Sequence, residues 1–209
     1  MNTELLSTAM TIGILHTAIG LDHYIPFVAM SKANNWTFAK TAAVVFVCGI
    51  AHVLSSVVLG LLGILLGAQL TSLLGIQHFR AEIALWFLIA FGFVYMLIGI
   101  AGAIKNKPHK HIAAHSFLPL FVLFILGPCE LLIPLLMYPA AQNGMMSVAA
   151  VAVVYSVCTI ATMIFCTAVV LKGVNIMPVK KIERYSHALA GFAVFICGLA
   201  VLFWHSHGH

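Results

Sequence analysis

Asp22 lies between two histidines in His16-Thr-Ala-Ile-Gly20-Leu-Asp22-His23-Tyr-Ile-Pro26, within an otherwise apolar stretch. A second carboxylate, Glu130, stands in Gly127-Pro128-Cys129-Glu130-Leu-Leu-Ile-Pro134, inside another apolar run. An Asp at the centre of a membrane helix costs roughly 2.5–3.5 kcal/mol on insertion scales, and such residues usually mark an ion or substrate path. The structural alternative is a hydrogen bond between helices. Imidazole and carboxylate together suit Ni²⁺, Co²⁺, Zn²⁺ or Fe²⁺ better than Mg²⁺, which prefers oxygen and water, or Cu⁺, which prefers sulfur. These ligands must lose protons to bind metal, so metal and proton compete for the same groups. That competition is a physical basis for proton-coupled movement in either direction.

The inventory that such an ion could meet is His16, Asp22, His23, His52, Cys129 and Glu130. His16 and His23 are seven residues apart, on one helix face but roughly 10 Å from each other along a straight helix. One ion cannot then touch both. Unwinding around Gly20 would bring them together; otherwise they serve successive positions on a path. In the next apolar run Cys48 and His52 are one turn apart, with Ser55 and Ser56 following. His52 reads either as a hydrogen-bonded core residue or as a ligand. The expectation is that Asp22, His23 and His52 touch the ion directly and that His16 is an entry or second position. Glu130 is a ligand or the proton-coupling carboxylate, and Cys129 a soft ligand. No enzymatic residues and no resident prosthetic group are expected.

Those residues need elements that hold them at membrane depth. The chain has 209 residues, 63% of them hydrophobic and 7% charged, with a mean hydropathy of +1.11. Long apolar stretches of this kind exclude a soluble globular domain. Six runs are long enough to span a bilayer, at about 5–30, 40–67, 82–104, 116–139, 146–171 and 187–204. The expected fold is therefore an all-α integral membrane domain over 1–209. Met1-Asn-Thr-Glu4 lacks the positive flank of a signal peptide, so the first span is read as retained.

The net charge of +5 reports orientation here, not nucleic-acid binding. Lys32 and Lys40 fall between runs one and two; Lys105, Lys107 and Lys110 between three and four. Lys172, Lys180, Lys181 and Arg184 fall between five and six, and only Arg80 lies in a loop of the other set. The positive-inside rule then places these loops in the cytoplasm and both termini outside, in a multi-pass inner-membrane protein. Glu82, close to Arg80, reads as structural. Membrane lipid is one expected partner and a homo-oligomer another. The five cysteines (48, 129, 158, 166, 197) show no CxxC spacing, so no disulfide framework or zinc ribbon is suggested.

The two halves look like copies. Asp22 and Pro26 match Glu130 and Pro134 at an offset of 108, and Cys48 matches Cys158 at 110. Ile76, Phe79 and Gly92 match Ile182, Tyr185 and Gly198 at 106. Three runs per half, an odd number, require the second copy to enter the membrane upside down, the usual construction of secondary transporters. Repeat one is about 5–104 and repeat two about 116–204. Pro26 and Pro134 each lack the N–H that would reach the carbonyl four residues back, so each half is expected to break at its carboxylate. Gly60, Gly63, Gly67, Gly92 and Gly99 read as close helix packing. The basic loop 105–115, with His109, His111 and His115, and the tail His205-Ser-His207-Gly-His209 gather metal weakly or are solvated flanks.

His16-Thr-Ala-Ile-Gly20-Leu-Asp22-His23 resembles the His-x5-Asp-His signature of the HupE/UreJ nickel permeases. It is similar, with one residue more, to the His-x4-Asp-His motif of nickel/cobalt transporters. Residues 20–60, through Gly49-Ile-Ala-His52-Val-Leu-Ser-Ser, also resemble UreH/NicO-type proteins. The resemblance implies metal passage at His16, Asp22 and His23, with Ni²⁺ or Co²⁺ as cargo, and metallochaperones or metalloenzyme-maturation proteins as partners. Thr17 stands where HupE/UreJ proteins usually carry proline. Gly127-Pro128-Cys129-Glu-Leu-Leu-Ile-Pro134 resembles the span-four cysteine motif of CcdA/DsbD thiol-electron transporters, which share the two-times-three-helix design. Those proteins use one cysteine per half, whereas the matching first-half segment here offers Leu21, Asp22 and His23. The expected function is a divalent-metal permease. The alternatives are a thiol–disulfide electron transporter and a metal-binding accessory protein.

Overall fold

A computed structural model describes residues 3–67, 69–104, 117–127, 129, 131–142, 144–176 and 185–207. All regular structure among them is helical. The elements are α1 (Thr3–Ile19), a one-turn 3₁₀ helix (Leu21–His23), α2 (Ile25–Ala33), α3 (Phe38–Leu65) and α4 (Leu70–Ile104). After them come α5 (Phe117–Leu126), α6 (Leu132–Gln142), α7 (Met145–Ile176) and α8 (Ser186–His207). Four of these, α3, α4, α7 and α8, are long and apolar enough to cross a membrane, and α1 with α2 makes a fifth if the bent pair is one span. Large apolar side chains such as Phe79, Trp86, Val153 and Phe165 point outward over these helices. A soluble protein rarely exposes such a surface, and lipid covers it at no cost.

The first span is broken where its proline and glycine direct. α1 and α2 meet at 86°. Gly20 N–H still reaches the His16 carbonyl at 3.0 Å, and His23 N–H then turns back to Gly20 at 3.1 Å. Pro26 falls in the first turn of α2. A missing N–H costs nothing there, because first-turn donors have no intrahelical acceptor. Proline thus opens a new helix and does not kink an old one. Tyr24 Oη donates to the Ala18 carbonyl at 3.4 Å, meeting one of the acceptors left at the end of α1.

The expected fourth span is likewise two pieces. α5 has ten residues and α6 eleven, with Pro134 in the first turn of α6. Arg80 departs from the sequence reading: it lies inside α4, not in a loop. α4 begins at Leu70, before the apolar run expected at 82, so Arg80 is drawn into the helix.

α1 packs on α7, α2 on α8, and α3 on α5, α6 and α7. The most extensive contact is between α4 and α8. Gly92 faces the backbone of Phe195, Gly99 that of Ala188, Gly191 that of Met96, and Gly198 the Ile89 side chain. Higher numbers on one helix pair with lower numbers on the other, so the two run antiparallel. A Cβ at Gly92, Gly99 or Gly191 would collide with partner backbone if one were added. These glycines set the helix separation, as small residues do where lipid gives no hydrophobic push. The buried Tyr95 hydroxyl and His187 Nδ1, 2.7 Å apart, tie the same pair.

Candidate metal site at the broken helix

The break at Gly20 carries the candidate site. His16 sits in the last turn of α1, Asp22 and His23 on the 3₁₀ turn, and His52 midway along α3. Unwinding folds His23 back over Gly20: a Cβ there would stand 2.5 Å from His23 Nδ1 and 3.0 Å from Asp22 Oδ1. Only glycine leaves that space. The His16 and His23 ring centroids are 4.9 Å apart at 81°, and those of His23 and His52 are 5.2 Å apart at 87°. Three imidazoles from three elements form one file. Phe124 of α5 closes its far end, 5.9 Å from His52.

Two rings are held by their Nδ1 atoms. His23 Nδ1 is 3.2 Å from Asp22 Oδ1, and His52 Nδ1 is 3.3 Å from the Phe124 carbonyl oxygen. Carboxylate and carbonyl only accept, so each Nδ1 carries the proton and, in the neutral ring, leaves a lone pair on Nε2. This is the arrangement in which a histidine ligates a metal through Nε2 while an outer partner fixes its tautomer. The Nε2 atoms of His16, His23 and His52 are all buried without a hydrogen-bond partner. Leaving one buried polar atom unpaired costs about 1–3 kcal/mol, so three on adjacent rings call for a water or an ion beside them. His23 and His52 are buried, while the Asp22 side chain is 40% exposed, giving the file a polar outer edge. Among the described residues, no group of three or more His, Cys, Asp or Glu side chains is arranged to hold one ion at once. The rings form a succession of nitrogen positions, not a closed cage.

The second break is held by side chains of α3 and α4. The carbonyls at the end of α5 lack intrahelical partners. Gly127 N–H takes Leu123 O at 2.8 Å, His52 takes Phe124 O, and Arg80 Nη2 takes Ile125 O at 2.8 Å. Arg80 also donates to Ser55 Oγ at 2.9 Å, and Ser56 Oγ accepts from Cys129 N–H at 2.9 Å. Sequence reasoning gives Arg80 only an orientation role and misses this one. The helical register around it holds the one available signal: once α4 starts at Leu70, Arg80 lies between the buried Gln77 and Ala84.

Cys129 is fully buried, with Sγ 3.0 Å from the Tyr155 hydroxyl. It belongs to the core cluster of Leu132, Leu136, Val148 and Tyr155, whereas Cys48 lies in a separate cluster with Val44, Val45 and Leu120. All five cysteines are thiols. Glu130, the loop 105–115, Lys180, Lys181, Arg184 and His209 lie outside the described residues, as do the side chains of His205 and His207. Compared with known proteins, the chain is matched by no family model, no curated protein and no solved structure.

Proposed function

We propose that the chain is a membrane permease for a divalent transition-metal ion, with Ni²⁺ or Co²⁺ as the first candidates and Zn²⁺ or Fe²⁺ as further ones. The observation that carries this reading is the file of three imidazoles whose buried Nε2 atoms have no protein partner. Neutral nitrogen ligands suit these borderline ions. Steps of about 5 Å between rings let an ion exchange one imidazole for the next without being fully desolvated between them. A transport site must hold its ion weakly enough to release it, and a file of partial sites does that better than a closed cage. Asp22 fixes the His23 tautomer and presents negative charge at the outer edge. Glu130 is proposed as the second-half ligand or proton carrier, and Cys129 as a soft ligand.

The proposed architecture is six spans in two inverted repeats, residues 5–104 and 116–204. It is supported by the two broken segments, each restarting with proline in the first turn of a helix, and by the antiparallel α4–α8 contact. The packing of α1 on α7 and of α5 and α6 on α3 is the exchange of partners that such a repeat requires.

The test is flux of each metal separately into proteoliposomes under an imposed pH gradient, with wild type and Asp22→Ala side by side. Metal-selective flux that is lost in a folded mutant supports the permease. Absence of flux for every metal in folded wild type would sink it.

A further inference from the structure

We propose that α7 supplies a second wall of the ion path, its Thr159 and Thr167 hydroxyls seating the water ligands that a divalent metal ion keeps as it passes along the imidazole file. This rests on the permease reading and extends its site to a helix of the second half. Thr159 and Thr167 are 0% and 3% exposed, and neither Oγ1 atom has a hydrogen-bond partner. A helical threonine commonly returns its hydroxyl to the carbonyl four residues back, as Thr8, Thr11 and Thr17 do here. Thr159 and Thr167 do not. The Tyr155 hydroxyl comes within reach of Thr159, but its bond is to Cys129 Sγ at 3.0 Å.

The two threonines share one face of α7 with the fully buried Met163 between them. That face fits the groove between α1 and α3. A Cβ at Gly13 of α1 would stand 3.3 Å from Thr159 Oγ1, and one at Gly49 of α3 would stand 3.4 Å from Met163 Sδ. Gly13 and Gly49 each lie three residues before a histidine of the file, His16 and His52, so the stripe runs beside those rings. Ala9 shares a cluster with Val148 and Val151, while Gly13 meets Tyr155 and Thr159, so α1 and α7 run in the same direction. Two turns beyond Thr159, Thr167 then comes level with the turn of Asp22 and His23, where α2 packs on α7.

The chemistry is complementary. Each imidazole offers one nitrogen, and among the described residues no three His, Cys, Asp or Glu side chains hold an ion together. An ion of this class takes about four to six ligands, so water must supply the rest. A water bound to a metal donates hydrogen bonds, and a hydroxyl oxygen accepts them. Bare Oγ1 atoms along the file are the acceptors that such waters need at membrane depth.

Flux of Ni²⁺ and Co²⁺ into proteoliposomes, with thermal unfolding of the same full-length proteins in detergent, tests this. T159V and T167V delete the hydroxyls at nearly constant shape. Each is expected to lower flux about fivefold, the worth of one hydrogen bond, and the double variant roughly twenty-five-fold. The unfolding midpoint should stay the same or rise, because a buried unpaired hydroxyl is lost. T159S and T167S should restore flux. Wild-type flux in folded T159V/T167V, where H52A still impairs it, overturns the proposal and leaves the permease standing. A lower midpoint in T167V alone, restored by serine, would make that hydroxyl structural and also overturns it. No flux of either ion in folded wild type sinks the permease reading and this proposal with it.

Discussion

His16 and His23, seven residues apart in sequence, lie with ring centroids 4.9 Å apart. A straight helix would keep them roughly 10 Å apart. The difference is made by Gly20, where α1 ends and the chain turns by 86° into α2.

Gly20→Ala acts directly on this contact. The new methyl would stand against the His23 ring and the Asp22 carboxylate, and the ring must leave the file. The α-helices on either side do not depend on that ring, so the variant is expected to insert and keep its helical circular dichroism. Its metal flux should fall by more than about tenfold, since displacing a ligand ring costs at least as much as disturbing its outer partner. Wild-type flux from a folded Gly20→Ala protein would show that the ring position is irrelevant.

Proton competition gives a sign for pH. Imidazole must be neutral to offer Nε2 to a metal. Metal binding is therefore expected to be tighter at pH 8 than at pH 6, with protons released on binding. Isothermal titration in buffers of different ionisation enthalpy reads both quantities. His52→Ala should reduce the affinity but leave the number of protons released unchanged, because a ring whose Nδ1 proton is held by the Phe124 carbonyl and whose buried Nε2 is bare is already neutral.

Arg80 is expected to act through the backbone. Its guanidinium serves the Ile125 carbonyl and Ser55. Arg80→Leu keeps an apolar stem but strands that carbonyl, a loss of about 1–3 kcal/mol. Thermal unfolding in detergent should show a lower midpoint, while the metal preference of the remaining folded protein stays the same.

The glycines sort into two classes. Gly99→Val and Gly191→Val put side chains into the facing backbone of Ala188 and Met96 and should abolish folding, read as loss of a monodisperse peak in detergent. Gly75→Ala and Gly173→Ala meet nothing within 4 Å. Both lie inside helices, so alanine should be neutral or stabilise by up to about 1 kcal/mol.

Cys129→Ser separates transport from thiol chemistry. Serine keeps a hydroxyl within reach of Tyr155, so flux is expected to survive within about a few-fold, since Cys129 is one of several proposed ligands. Complete loss, with a thioredoxin-like partner trapped on the wild-type thiol, would favour electron transfer.

Composition points to a membrane, and unbroken apolar runs of about 20 residues point to helices, since barrel strands would alternate apolar and polar residues. Both breaks are equally legible, because proline and glycine act on the backbone wherever they stand. The candidate residues can be picked out for the same local reason: a polar group in an apolar run is expensive whatever surrounds it. Which of them meet is a matter of packing. His52 is 29 positions from His23, and only the placement of α3 against the first break sets their rings 5.2 Å apart. The Phe124 carbonyl that fixes the His52 tautomer lies 72 residues further on, and backbone acceptors have no residue type to read. Arg80 shows the limit most clearly. Its charge is written in the sequence, but its role depends on an α5 terminus 45 residues away, which no local pattern can supply.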